Sequence, residues 1–445
     1  VRLPHPLTLL IACTVIAAAF THVLPAGQFD RRDDPATGRK VVVAGTYHRV
    51  DEHPLGAFDT LVAIPDGIID AVPVIAFVFL VGGAFGVVDK TGALRDGIDW
   101  LVRRLGSRGI VAIPIVSLAF AAGGAFENMQ EEIIAIIPAL LVLGQRLGFD
   151  EITAAEMSVG AAAVGSAFSP VNPFQVLIAQ KVAGIPQLSA GAFRGIFLAL
   201  ALLIWIGGTM RRARRTRTPM ANRAGTDGPP RFGARGRAVL TIVLLTFALF
   251  VYGVAKLQWD FDQEAALFFG MGIVVGIAGG LGVTGTAEAF VEGFQSMAYA
   301  ALLIGFARSI STVMERGLII DTVVYGLATP LSKLPTALAA IGMMAAQFAI
   351  HVPVPSVSGQ AVLTLPVFAP VADLLHMSRQ VAVLAYQYGA GMCELVTPTN
   401  GALMAILAAA GVRYDRWLAA AGRMIAVVAG VGALAVVIGV AVGLT

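Results

Sequence analysis

Charge is scarce in this chain: Lys, Arg, Asp and Glu make up 13% of its 445 residues, against 57% hydrophobic side chains. A soluble fold of this length needs more polar surface, so the composition excludes the ordinary globular classes and points into a lipid bilayer. Cysteine is almost absent. Cys13 and Cys393 both lie in apolar runs, which excludes a disulfide framework or a Cys/His metal cluster. There is no Walker loop, zinc-ligand spacing, nucleophile elbow or dinucleotide loop, so ATP-driven pumping and enzymatic chemistry have no residues to carry them. Paired acids alone are a weak basis for a membrane-bound enzyme when no nucleophile or metal set accompanies them.

What charge there is has a pattern. From Arg211 to Arg237, nine arginines stand against one acid, Asp227, in a stretch broken by Pro219, Gly225, Pro229 and Pro230. By the positive-inside rule this reads as a cytoplasmic linker between two halves rather than a nucleic-acid-binding segment. The apolar run from about Pro6 to Leu24 follows Arg2 and His5 and has a signal peptide's outline. Its length approaches a full crossing and no small-x-small site follows before Gly27, so an uncleaved first helix with its N-terminus inside is expected.

Along the chain, residues 1–66 read as that helix plus an outer, hairpin-like loop containing Val41, Val42 and Val43. A first unit covers 67–210, the linker 211–237, two connecting spans 238–291, and a second unit 292–445. Within the first unit a span of about 70–88 leads to Lys90, Arg95, Arg103, Arg104 and Arg108, with 93–105 expected as a short interfacial amphipathic helix. The apolar segments 109–123 and 132–146 are each shorter than the ~20 residues of a crossing, so they fit the arms of a re-entrant hairpin with its tip at Gly123–Glu132. A helix interrupted at Ser169–Pro173 and a span of about 190–210 complete the unit.

The second unit repeats the first. A shift of 228 positions lays Pro138 on Pro366, Ala154 on Ala382, Pro170 on Pro398 and Asn172 on Asn400 without a gap. Its hairpin arms fall at about 334–348 and 361–375, and its broken helix at about 379–411, interrupted at Thr397–Gly401. Counting spans starts one copy from the outside and the other from the inside, which is an inverted repeat of the kind that builds secondary transporters.

The same alignment sets Asn128 opposite Ser356, Gln130 opposite Ser358, Glu132 opposite Gln360, and Ser169 opposite Thr397. Interrupting a helix in hydrocarbon frees N–H and C=O groups that cost several kcal/mol each when left unsatisfied. Two breaks at equivalent positions therefore argue for a ligand site over helix kinks made for packing. Ser356, Ser358, Gly359, Gln360, Thr397, Thr399, Asn400, Ser169 and Asn172 are the expected substrate-binding residues, the Pro353–Gln360 turn favouring an anion. Glu127, Asn128, Glu131, Glu132 and Glu394 are the expected ion-coupling set, because ionisable groups inside a membrane are costly and by default face a functional cavity. Na⁺ could sit on freed oxygens near Asn172 and Asn400, or H⁺ could couple instead; no other cofactor is expected. His351 could relay protons or be a hydrogen-bonded structural residue, and Arg308 could pair with a carboxylate or bond backbone carbonyls.

The blocks Phe85-Gly86 with Thr91-Gly92-Ala93, Asn172-Pro173-Phe174 with Ala183-Gly184-Ile185, Pro355 to Ala361, Ser378 to Tyr386 and Thr397 to Gly401 together resemble the YfcC/DcuC carriers of the ion transporter superfamily. The resemblance covers nearly the whole chain. It implies an all-α, INDY-like elevator architecture with two re-entrant hairpins and two broken helices, usually a homodimer, in a bacterial inner membrane. It also implies carriage of C4-dicarboxylates or, in the YfcC branch, exchange of basic amino acids. The chain departs from the family pattern at Ala390 and Glu394, where relatives tend to have Asp and Asn. The expectation is a secondary transporter of a small carboxylate or amino acid. A channel is the rival of another class; it would need a continuous polar stripe.

Overall fold

The computed structural model describes residues 4–34, 39–94, 96–97, 106–217, 233–257 and 259–444. Arg2, most of the interfacial helix expected at 93–105, and the centre of the arginine-rich linker lie outside the described residues. The described chain is mostly helical, and among the described residues seven helices are long and apolar enough to cross a membrane, from Val72–Lys90 to Tyr414–Ala441. Helices are the form such a composition must take, since each satisfies its own backbone where no water is available.

The first broken helix runs as Glu151–Ala155, a π-helical turn Glu156–Gly160, and Ala161–Phe168; it resumes at Pro173 and continues as Ile178–Ala183. The second runs as Arg379–Cys393 and Gly401–Ala409. Ahead of them stand two helix pairs, Ala112–Glu127 with Glu131–Leu147, and Thr336–His351 with Val357–Leu374. The first arm is longer than expected: Gly123 and Gly124 do not break it, and with a preceding turn it spans Gly109–Glu127 before Asn128 ends it in the left-handed region at φ 56°. The last arm likewise starts early, at Val357, with Ser356 accepting the Gly359 N–H at 3.3 Å, so Ser358, Gly359 and Gln360 sit in a helical first turn. The break in the second helix also opens earlier than expected, at Glu394.

Close packing here is made by backbone rather than by large side chains. The helix Gly282–Arg316, 35 residues long, begins ten residues before the second unit expected at 292 and is the spine of one side. A Cβ at Gly293 would run into the backbone of Gly82 and Gly83, and one at Gly305 into Ile68, on the helices Val72–Lys90 and Ala57–Asp70. Ala57–Asp70 itself lies in the stretch expected as loop. On the other side, Gly124 meets the Ala162 carbonyl, Gly165 meets the Ala121 carbonyl, and Gly391 meets Ala167 where the two broken helices cross. Every residue of Ala161–Phe168 is buried, which is possible because most are alanine or glycine.

A buried arginine ties this second side together. Arg194, fully buried near the start of Gly191–Thr216, donates to Gln387 Oε1 at 2.9 Å, Gln380 Oε1 at 2.7 Å and the Ser189 carbonyl at 2.7 Å. Gln387 passes the link on by donating to the Ser169 carbonyl at 2.8 Å, at the edge of the first break.

Outside the helical mass, Gly27–Gln28 pairs with His48–Arg49 and Arg31–Asp34 with Arg39–Val42, both antiparallel. This small strand-bearing piece is fastened to Ile320–Ala328: Asp321 accepts from Phe29 N and from Arg31 Nη2, each at 2.8 Å, and the Tyr47 ring stacks on Tyr325 at 4.2 Å.

Two outcomes are expected. Gly165→Val should overpack the helix crossing and destabilise the protein by about 1–3 kcal/mol, read as a lower thermal-aggregation temperature in detergent, whereas Gly207→Ala, with nothing near its Cβ, should not lower it. Arg194→Met should strand the Gln380 and Gln387 acceptors at about 1–3 kcal/mol for each, measurable in the same assay.

Candidate functional site

Both breaks are closed by the same local chemistry. In the first, Ser169 Oγ accepts from the N–H of Val171 at 3.0 Å and of Asn172 at 2.9 Å, and Asn172 Oδ1 accepts from Phe174 N at 3.0 Å and Gln175 N at 2.8 Å. In the second, Thr397 Oγ1 accepts from Thr399 N at 3.3 Å and Asn400 Oδ1 from Leu403 N at 3.1 Å. A Ser/Thr-x-x-Asn sequence thus supplies the oxygens that a restarting helix needs for its unpaired N–H groups.

The donor ends of these asparagines differ. Asn172 Nδ2 donates to the Gly124 carbonyl at 2.9 Å, and Ser169 Oγ donates to the Ala125 carbonyl at 2.7 Å, so the first break is sewn to the end of the first hairpin arm. Ser166 extends this seam, bonded to Asn128 Oδ1 and to Gln175 Oε1. Asn400 Nδ2 instead reaches the other half of the chain, donating to Gln130 Oε1 at 3.0 Å and to the Glu394 carbonyl at 3.1 Å. Gln130 in turn donates from Nε2 to Glu394 Oε2.

Glu394 is also held by His351, whose Nε2 lies 3.1 Å from Oε1. The protonation of this pair follows from its neighbours. Gln360 donates from Nε2 to the Gln347 carbonyl and to Gln347 Oε1, both at 2.7 Å, which turns its Oε1 toward His351 Nδ1 at 2.7 Å. Nδ1 must therefore carry a proton, and the Nε2···Oε1 contact to Glu394 needs a second one, carried by the imidazole or by the carboxyl. His351 is fully buried and Glu394 nearly so. The two form one hydrogen-bonded unit next to a polar space.

That space is a cavity of about 430 Å³. The first tip contributes Glu127, Asn128, Glu131 and Glu132; the second tip Ser356 and Ser358; the second break Glu394, Thr399 and Asn400. Asp70, Asp260, Glu264 and Arg308 line it from the flanking helices. Among the described lining residues, Arg308 is the one Lys or Arg side chain set against seven carboxyl groups. Like charges at 4 Å repel by about 4 kcal/mol at an effective dielectric of 20, so a cavity of this composition requires protons or a cation to be present when it is closed from water.

The remaining expected residues lie elsewhere. Gln360, Ser169, Asn172 and Thr397 are buried beneath the cavity wall in the hydrogen bonds just described, and Gly359 lines a neighbouring cavity. Near Asn172 and Asn400, where Na⁺ was expected, both amide oxygens already accept backbone N–H groups. No cluster of three or more His, Cys, Asp or Glu able to hold a metal occurs among the described residues. Sequence reasoning missed Asp70, Asp260, Glu264 and Trp259. Glu264 sits in the first turn of Phe261–Ala278 behind Asp260, which caps it, so the whole acidic group read as an ordinary helix start.

Comparison with known proteins gives this architecture a family. The DcuC pattern, described as C4-dicarboxylate anaerobic carrier, matches residues 3–441. A protein of Escherichia coli strain K12 named "Putative basic amino acid antiporter YfcC" is 33% identical, the match covering 94% of this chain and 92% of that protein. An uncharacterized Haemophilus influenzae protein is 28% identical over 98% of this chain and 96% of its own length. Among solved structures, the chain is similar to the Alcanivorax borkumensis YdaH transporter (17% identity, 99% of each chain, TM-score 0.43). It is also similar to Neisseria gonorrhoeae MtrF (16% identity, 99% and 96% covered, TM-score 0.45). With its membrane-length helices, and with one family pattern spanning nearly its full length, the chain belongs to the C4-dicarboxylate anaerobic carrier (DcuC) family of integral membrane transporters.

Proposed function

We propose that the protein is a secondary transporter of the bacterial inner membrane that exchanges basic amino acids by alternating access. The observation that carries this reading is the cavity between the two tips, where seven carboxyl groups meet one arginine. A guanidinium or ammonium side chain supplies the compensating positive charge, and the hydroxyl-bearing helix start at Ser356 offers N–H groups to an α-carboxylate. The name of the Escherichia coli relative supports the same substrate class.

The mechanism built on it is an elevator. Residues 67–210 and 292–445 are oppositely oriented repeats; their hairpins and broken helices form the moving unit, the glycine-packed spine is its track, and a homodimer holds the track in place. The N-terminus and the linker 211–237 lie inside, and the strands outside. The His351–Glu394 pair carries the coupling proton, its protonation changing the charge that a substrate must balance. Thr399 and Asn400, at the cavity wall, sense the occupant, while Ser169, Asn172 and Thr397 shape the breaks beneath it and Gln360 orients His351.

A second reading keeps the same machinery with an anionic cargo: a C4-dicarboxylate bound at Ser356 and Arg308, with H⁺ or Na⁺ neutralising the acids. It is favoured by the family description and by Arg308 lying in the cavity wall.

Counterflow in proteoliposomes separates the readings: labelled arginine should exchange and labelled succinate should not, the reverse favouring dicarboxylate carriage and non-saturating uptake a channel. Asn400→Ala and Asn172→Ala should each lower kcat/KM for the carried substrate by about tenfold or more while the protein remains inserted; near-normal kinetics in both would remove the breaks from the transport path. Glu394→Gln should flatten the pH dependence of uptake, and an unchanged profile would return Glu394 to a structural role.

A further inference from the structure

A second cavity of about 470 Å³ lies against the first, on the strand-bearing side of the second tip. Its roof is the strand-bearing piece, through Arg31, Lys40 and Val42, and its floor is the tip itself, through Val354, Ser356 and Gly359. The two cavities share two lining residues, Ser356 and Arg308. They therefore adjoin as two chambers, with a hydroxyl and a guanidinium lining both.

The chambers carry opposite chemistry. In the second, Arg31 is neutralised by Asp321, leaving Lys40 and Arg308 against Glu315. Arg308 is loosely held: its ion contacts, to Asp70 on the acidic side and to Glu315 on the other, are both at 3.9 Å, beyond good hydrogen-bonding distance, and its side chain is 40% exposed. A guanidinium in that position can form a two-point pair with an incoming carboxylate without first breaking a tight salt bridge. Lys40 is exposed at the rim, where a charge acts by drawing the ligand in.

We propose that this second chamber is an access vestibule that holds the carboxylate of the substrate between Lys40 and Arg308, and that Arg308 keeps that carboxylate as the cationic end passes Ser356 into the acidic cavity. The inference deepens the amino-acid reading and rests on it. Substrate polarity then follows from the order of the charges: the guanidinium or ammonium leads, the carboxylate trails. A cation without a carboxylate gains nothing from the vestibule. Ser356, whose Oγ accepts the Gly359 N–H at 3.3 Å, stands where the two chambers meet.

The test compares arginine with agmatine, its decarboxylated analogue, as competitors of labelled-arginine counterflow in proteoliposomes. In the unaltered protein, arginine should compete better than agmatine. In Lys40→Gln and in Arg308→Gln, the apparent KM for arginine should rise by about tenfold with agmatine competition no weaker than in the unaltered protein, and Arg308→Lys should restore part of the loss. Equal weakening of arginine and agmatine, or no change in either, overturns the vestibule while leaving basic-amino-acid exchange standing. Should the unaltered protein carry succinate and not arginine, the cationic-substrate reading fails, and the same variants read the vestibule through succinate, whose KM should rise. Carriage of neither compound overturns both.

Discussion

The fold turns on one constraint: a backbone that leaves the helical path inside a membrane protein must find new partners for every N–H and C=O it exposes. The chain meets it twice with the same few side chains. Ser169 and Thr397 take up N–H groups within the breaks, and Asn172 and Asn400 take up those of the restarting helices. Because these oxygens are consumed locally, the asparagine amides are left as donors, and where they point decides what each break does. One reaches the neighbouring arm at Gly124, and the other reaches Gln130 and the Glu394 carbonyl.

That difference makes two similar units unequal. Glu132 in the first stands where Gln360 stands in the second, and Gln360 is wholly engaged with Gln347 and His351. The first tip thus delivers acids to the cavity, and the second delivers hydroxyls and a helix start. Two identical tips would build a cavity of uniform character. Here the divergence between the tips gives it two poles, which a solute bearing both charges can span.

Much of this was legible in the sequence. Proline and polar islands inside apolar runs marked both breaks, and the tip Glu127–Glu132 stood out because carboxylates are rare among such neighbours. The helix ends were less legible. Gly123 and Gly124 look like a stop signal, yet Gly124 serves the approach of Ala162, Gly123 lies against the Met129 side chain, and the helix runs on to Glu127. Contacts between the halves were invisible to any local pattern: nothing in the order of residues tells that Gln130 meets Glu394, or that Arg194 binds Gln380 and Gln387. Glu264 was hidden by resemblance to a routine capping acid. The chemistry near the breaks is local and therefore readable, while the cavity is assembled from distant segments and is not.

The glycine contacts of the 35-residue helix carry a consequence for how such a protein can diversify. Where main chain rests on main chain, almost any added atom is an obstruction, so neutral drift along that surface is closed off. The turns around Glu127–Glu132 and Pro355–Gly359 differ in this: through Glu131 and Ser358 they border open volume rather than a neighbouring main chain. New cargo preferences in this lineage should therefore arise at a handful of tip positions, with the spine inherited almost unaltered beneath them.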